Sequence, residues 1–546
     1  MQQHPHVDEF ADRLRVKVDL IVPEFAAGDH YDLWALSLIE KSTWSADIKH
    51  PEFESIPGQE QLFFQAFLQT SRLLCELGRL PVFDIPRVVA LIQDKQNTKK
   101  YSLEIEYFLV PFVPQDAYQI PIKVSLELCR WMAQHSPTLE NKTKVFNTIT
   151  EKVIKPLNRI VPAGKSTIPV LKAVHSMGIP YMHLGLGTYQ VGWGSKARRL
   201  DRSTSELDSV IGSKLAQNKV VAANILRAAG LPSPVHGVVE TEIEALAAAA
   251  KIGYPLVVKP ADLDRGEGVT VDVSDELGLK AAFAHSQKLS RSKQIIVERQ
   301  VSGVCHRLYI ANGRLLYAVK RNPMSVIGDG KRSIKQLVND AVNEQSCKPP
   351  WHRSDIKPID ELAIQTFEKL GLTSDSVPGE GAVVPLRRIE SNEWGGVDEE
   401  VTSVVHAENL DIALQAAQLF GLHIAGIDII SPDITKPWHA TGAIINEVNY
   451  APLFGGAEIS RSYIPEFLTE FVDGNGKIPI AVFETEAAAL EYKNQQQNQG
   501  RRCYFTSADR TLDESGKEIV MNFKDIHQRV RALILRPSVD AISIVQ

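Results

Sequence analysis

Cysteine is scarce: five residues in 546 (Cys75, Cys129, Cys305, Cys347 and Cys503), with no CxxC pair and no even framework. That argues against a disulfide-built fold and suits reduced thiols in a cytoplasm. Long apolar runs are also missing, since none approaches the roughly 18 residues a membrane helix needs. The first sixteen residues have neither the basic start nor the apolar core of a signal peptide. There is no excess of basic charge. The formal net charge is −6, which leaves no footprint for nucleic acid. What remains, 44% apolar and 23% charged residues, is the composition of an ordinary soluble protein. Its length suits about two to four domains.

A complete P-loop is absent as well. Ala163-Gly164-Lys165-Ser166-Thr167 has the ending of one, but GxxxxGK[ST] needs a glycine where Arg159 stands. The stretch reads instead as the capped start of a helix over Ile168–Met177. A strand over Ile179–Leu184 follows, and this alternation opens an α/β domain. Upstream, residues 1 to about 160 mix strand-like runs (Val16–Val22, Tyr107–Val113) with helical ones (Gln61–Glu76, Val124–Gln134). No grouping of His, Asp and Ser there suggests chemistry, so an α+β domain for binding or assembly is expected.

The chemistry-bearing residues come later. Asn218-Lys219 opens a helix that ends at Gly230. The stretch Ile252–Pro260 places Lys259 at the end of a buried strand, and a turn carrying Gly266 and Gly268 follows. Alternate glycines let backbone N–H groups approach phosphate oxygens. Alone that signal is weak, but a buried lysine beside it needs a partner. Ile295–Val301 leaves Glu298 beside a hinge, where it suits hydrogen bonding to a nucleotide base or ribose. A hairpin around Asn312-Gly313 carries Arg307 and Arg321, either fork-shaped ligands for phosphate or carboxylate or solvated charges.

Two β-branched runs, Gly426–Ile430 and Ala443–Asn449, carry Asp428, Glu447 and Asn449, with a turn between them at Ser431–Gly442. Paired as a hairpin, they bring three oxygen-bearing side chains to one end of a sheet, and residues two apart share a face. Mg²⁺ is held by such a set, completed by phosphates and water. The competing reading is a pair of strand-end carboxylates facing solvent.

The order of these motifs carries a resemblance. From about Lys165 to Pro452, the segments YPLVVKPADLDRGEGVTVDV, IIVERQVSG, HIAGIDIISPD and GAIINEVNYAP, with Val326–Gly330 followed by Ile334 and Leu337, resemble the ATP-grasp superfamily. Within it they resemble the ATP-grasp half of cyanophycin synthetase. The resemblance implies that Lys219 and Lys259 contact ATP phosphates and that Gly266 and Gly268 belong to a flexible loop over them. It also implies that Glu298 helps hold the adenosine. Arg307, Arg321 and Lys259 would serve catalysis at a phosphorylated carboxylate, and Asp428, Glu447 and Asn449 would bind Mg²⁺. The implied reaction is ATP-dependent, ADP-forming carboxylate–amine ligation through an acyl phosphate, joining an amino acid to an amino acid or short peptide.

Departures gather on the substrate side. Lys214 stands where the family commonly has an acidic residue. Asp264-Arg265 replaces Asn-His before the first glycine, and Glu393-Trp394-Gly395-Gly396 replaces a Ser-Thr-Gly-Gly turn. Substrate identity therefore does not transfer with the fold, and cyanophycin itself is not expected. After Lys477–Phe483 no P-loop follows, and Leu533–Ala541 resembles a later strand of a Mur-ligase-like domain. The expected layout is an α+β domain over 1–162, an ATP-grasp ligase domain over 163–476, and a truncated Mur-ligase-like remnant over 477–546 with Lys493–Gln499 as loop or linker. The alternative to an active ligase is a catalytically inactive partner subunit of a full-length cyanophycin-synthetase-like enzyme. Family habit favours a homo-oligomer in the cytoplasm, without nucleic acid or membrane.

Overall fold

Val16, Val18 and Leu20 are buried while Arg15, Lys17 and Ile21 are exposed, and this alternation makes Arg13–Ile21 a strand with one face on the core. A computed structural model describes residues 13–26, 30–41, 44, 56, 58–263, 267–354, 356–387 and 395–546. The chain forms two compact units. One takes Met1–Glu206, Pro349–Trp351 and Leu453–Gln546; the other takes Leu207–Lys348 and His352–Pro452. Among the described residues no helix is long and apolar enough to cross a membrane.

In the first unit, Arg13–Ile21 pairs antiparallel with Lys100–Phe108, which also pairs with Arg87–Gln93. Helices Gly58–Leu77 and Asp116–Met132 contribute Phe63, Phe64, Phe67 and Leu128 to the core beneath. The sequence places a strand at Tyr107–Val113, but the strand is Lys100–Phe108: one face is buried through Tyr101, Leu103, Ile105 and Tyr107, and pairing stops short of Pro111, which has no N–H to donate. The helix expected after Gly164 runs over Thr167–Ser176. Its entrance is closed by Thr167 Oγ1, which accepts from Gly164 N at 3.0 Å. Ser166 Oγ is used elsewhere, accepting from Phe454 N at 3.0 Å.

A small antiparallel sheet follows, with strands Tyr181–Gly185, Thr188–Val191, Arg198–Asp201 and Thr204–Ser205. Residues from Ile480 onward form a second α/β layer. Strands Ile480–Phe483 and Cys503–Thr506 both pair parallel with Ala541–Val545. Lys493–Gln499 is not a loop: it belongs mostly to the helix Glu486–Asn498, capped by Thr485. Ala, Glu, Lys and Gln are strong helix formers, so a Gln-rich run between two strands winds rather than unravels. Leu533 and Ile534 close the helix Ile526–Ile534, and the last strand begins only after Pro537, at Ala541. This layer is joined to the small sheet. Trp193 packs with Ile478, Tyr504, Val530 and Leu533, Trp193 N donates to Gly476 O at 2.8 Å, and Ser195 N donates to Val539 O at 2.8 Å.

The second unit holds two larger sheets. The first is four-stranded and antiparallel, in the order Thr270–Val273, Leu256–Pro260, Ile295–Arg299, His236–Val239. Helices Glu242–Ile252 and Glu276–Leu289 cover one face through Ala245, Ala249, Leu279 and Phe283. The second is five-stranded, in the order Val397–Glu400, Arg314–Asn322, Val304–Ala311, Ile424–Ser431, Ile444–Tyr450. Helix Ala407–Leu419 packs Ile412, Ala413 and Ala416 against it. Asn312 and Gly313 both have positive φ, 53° and 74°, as a tight hairpin turn requires. Between the two Asp428/Glu447 strands lies more than a turn: a short helix, Trp438–Thr441, ends on the left-handed Gly442. A satellite of helices Ile334–Cys347 and Glu361–Lys369 packs on the strand pair Ser325–Ile327 and Val383–Pro385.

Candidate active site

The five-stranded sheet sets three charged residues in a row. Arg307 is the direct partner of Asp428 across one strand pair, and Asp428 is the direct partner of Glu447 across the next. Direct partners in antiparallel strands project on the same face, about 5 Å apart at Cβ. Arg307 Nε donates to Asp428 Oδ1 at 2.7 Å and its Nη2 donates to Oδ2 at 2.7 Å. Arg321 Nη1 stands 3.9 Å from Oδ2. Asn449 Nδ2 donates to Gly426 O at 3.2 Å and to Asp428 Oδ2 at 3.3 Å. The ladder shifts register immediately after Asp428, and such a bulge re-aims neighbouring side chains. Gly426 makes room: a Cβ there would meet Pro452 Cβ at 3.1 Å and Arg307 Cδ at 3.4 Å.

At this row the buried Asp428 and the half-buried Glu447 stand next to each other, with Arg307 and Arg321 against Asp428. Asp428 is 3% exposed, so its charge depends on its partners. Burial works against the Arg307 guanidinium, but Asp428 more than offsets it and holds the group firmly charged. Burial, then the charge of Asp428, pushes the Glu447 carboxyl above the ordinary carboxylate range, while Lys219, Arg307 and Lys259 pull it back. A divalent cation would relieve that repulsion. Among the described residues no group of three or more His, Cys, Asp and Glu gathers as a metal cluster. The set here is two carboxylates and a carboxamide, too few for a closed protein cage. It fits Mg²⁺, which takes one or two carboxylates and completes its shell with phosphate and water.

The four-stranded sheet supplies the other half. Lys259 Nζ donates to Glu298 Oε1 at 2.6 Å, with the two side chains 16% and 10% exposed. Lys219, at the start of the helix Lys219–Ala228 capped by Asn218, donates from Nζ to Leu263 O at 2.6 Å. Leu263 is the stem of the glycine turn. Gly266 and the substituted Asp264-Arg265 lie outside the described residues, as do Glu393 and Trp394. Gly268 has φ 71°, and a Cβ there would come within 2.9 Å of Pro260 Cγ. Its carbonyl accepts from Ser286 Oγ at 2.9 Å.

Two residues of this region are silent in the sequence. Asp262 anchors the turn's near side, accepting from Ser290 Oγ at 2.8 Å, Arg291 N at 2.8 Å and Ser292 N at 2.7 Å. Gly426 clears the space beside Arg307. Both lie inside the motif segments, but their roles do not show there, because each acts through a neighbour distant in sequence.

Residues 217–309 match the family model of the carbamoyl-phosphate synthase L chain, ATP binding domain. The chain is 33% identical to a cyanophycin synthetase of Trichormus variabilis over 339 residues, 60% of this chain and 37% of the relative. It is 34% identical to that of Crocosphaera subtropica over 295 residues, 53% of this chain and 34% of the relative. The matches thus span little more than a third of those relatives' lengths. Among solved structures, a bifunctional glutathione synthetase from Pasteurella multocida superposes with a TM-score of 0.45 at 19% identity, covering 69% of this chain and 64% of that one. The chain carries an ATP-grasp domain similar to that of the cyanophycin synthetases.

Proposed function

We propose that the chain is an ATP-dependent ligase that joins the carboxylate of an amino acid or short peptide to the amine of another. The observation that supports this most directly is the Arg307–Asp428–Glu447 row. It places the buried Asp428, the half-buried Glu447 and an arginine fork side by side, in the same unit as the Lys259–Glu298 pair. We also propose that the evolutionary pieces of the chain are 1–162, 163–476 and 477–546, and that it works in the cytoplasm as a homo-oligomer.

The chemistry needs little beyond placement and charge. A carboxylate oxygen attacks the γ-phosphorus of ATP, the bond to the β-phosphate oxygen breaks, and ADP leaves. An amine then attacks the acyl carbon, phosphate departs, and a proton is lost from nitrogen. Lys219 and Lys259 hold the phosphates, and Glu298 holds the nucleoside. Gly266 and Gly268 belong to the loop over the phosphates. Arg321, less tightly engaged with Asp428 than Arg307 is, has the freer fork for the phosphorylated carboxylate. Arg307 keeps Asp428 aimed through its two parallel bonds. Asp428, Glu447 and Asn449 would hold Mg²⁺, which when bound neutralises phosphate oxygens during transfer.

The test is phosphate release from the purified chain with MgATP, across a matrix of amino acids and short Asp- or Arg-containing peptides, with mass spectrometry of products. A pair-dependent signal with a condensation product is expected. Silence across the matrix with ATP still bound would overturn the reading. It would favour the second one, an inactive partner of a full-length cyanophycin-synthetase-like enzyme. That second reading draws on one observation: both oxygens of Asp428 are taken by Arg307.

A further inference from the structure

On the face of the four-stranded sheet that carries Glu298 stands a histidine with no role in the ligase chemistry above. His236 is the direct antiparallel partner of Glu298, so the two side chains lie next to each other on one face. On the other side Lys259 holds Glu298 Oε1 at 2.6 Å. His236, Glu298 and Lys259 thus line one face across three adjacent strands.

His236 is held from behind. Arg227 Nη1 lies 3.2 Å from its Nδ1. The same Nη1 donates to the carbonyl of Pro234, and Nη2 donates to Asn224 Oδ1. The Pro234 carbonyl is itself 3.3 Å from Nδ1, so two assignments of the ring compete. Arginine does not surrender its protons, and a protonated Nδ1 would set N–H against N–H. A bare Nδ1 that accepts from Arg227 removes the conflict and places the ring proton on Nε2. Burial, then the Arg227 charge, holds the imidazole below its ordinary pKa and keeps it neutral near pH 7.

We propose that His236 is a positioning residue of the nucleotide site. Arg227 fixes its tautomer, and the ring presents a neutral N–H beside Glu298, so that the carboxylate meets the nucleotide base in one orientation. The proposal rests on the ATP reading of Glu298 and adds base selectivity to it.

The experiment is calorimetric titration of the full chain with MgATP and, separately, MgGTP, for wild type, H236L, H236Q and E298Q. H236L is expected to weaken MgATP about tenfold, as loss of one hydrogen bond near a charge does, while leaving MgGTP within about twofold. H236Q, whose amide N–H reaches the place of Nε2, is expected to restore most of the ATP preference. Equal weakening of both nucleotides, or equal loss in H236L and H236Q, would make His236 a packing residue and overturn the proposal. Unchanged binding in H236L with weakened binding in E298Q would overturn it alone. Unchanged MgATP binding in E298Q would sink the reading of Glu298 beneath it. Should H236L fail to fold, H236N takes its place, since it offers Arg227 an acceptor but no N–H at the reach of Nε2.

Discussion

Lys219 Nζ donates to the main-chain carbonyl of Leu263, 44 residues further along the chain, at 2.6 Å. One of the two lysines assigned to phosphate therefore also ties down the stem of the glycine turn, together with the Asp262 bonds to Ser290, Arg291 and Ser292.

Lys219→Met should act at both places. MgATP binding should weaken by about tenfold or more, as removal of a charge-assisted contact does. Amide exchange over residues 261–263 and 267–269 should quicken in the nucleotide-free protein. Calorimetry and hydrogen-exchange mass spectrometry read the two effects separately. Weakened binding with unchanged exchange would mean the Leu263 bond carries no weight.

Glu447→Ala should abolish ADP release in a chain that ligates, with substrates found by the product screen. An inactive partner would show no difference.

Glu447→Gln has a second, pH-dependent signature. The folded protein holds the Glu447 carboxyl above its unfolded range, so folding favours the protonated form. As pH rises through the folded value, the ionised Glu447 costs stability, by linkage. Without Mg²⁺, E447Q should match wild type at acid pH and exceed it in stability at pH 8. Urea melts at several pH values would show it. A constant difference across pH would contradict the repulsion between Asp428 and Glu447.

Arg307→Met leaves Asp428 buried without its fork. Breaking a buried pair on one side costs about 3–5 kcal/mol, so denaturant midpoints should fall sharply. Arg307→Lys keeps the charge but not the two parallel bonds, and should fall in between. Adding Asp428→Asn to Arg307→Met should recover part of the loss, because the stranded charge is gone.

Trp193→Ala should loosen the C-terminal layer. Removing so large a buried ring costs about 3–5 kcal/mol, and limited proteolysis should then cut within residues 500–525. A cleavage pattern identical to wild type would mean the layer stands without that ring.

Much of the second unit was legible because its strands are short β-branched runs bounded by glycine and proline. Leu256–Pro260, Ile295–Arg299 and the Asp428/Glu447 hairpin all fall where the pattern puts them. The polarity of Lys493–Gln499 reads as a loop, whereas its residue types favour the helix it mostly forms. Leu533–Ala541 reads as one strand, but its apolar start is a helix end, and the chain turns through Arg536–Asp540 before the strand begins at Ala541. The pairing of Arg307 with Asp428 was beyond reach: the two lie 121 residues apart, and only strand register decides who faces whom. His236 stayed hidden for the same reason.

The first unit is assembled from chain on both sides of the second, with Leu453–Gln546 returning to Met1–Glu206. Trp193 and Met182 pack on Ile478, Val530 and Ile544, so their apolar faces have no cover until the final stretch is made. On the ribosome, where domains close from the N-terminus onward, the second unit has all its residues first. The first stays unfinished until residues Leu453–Gln546 have been made.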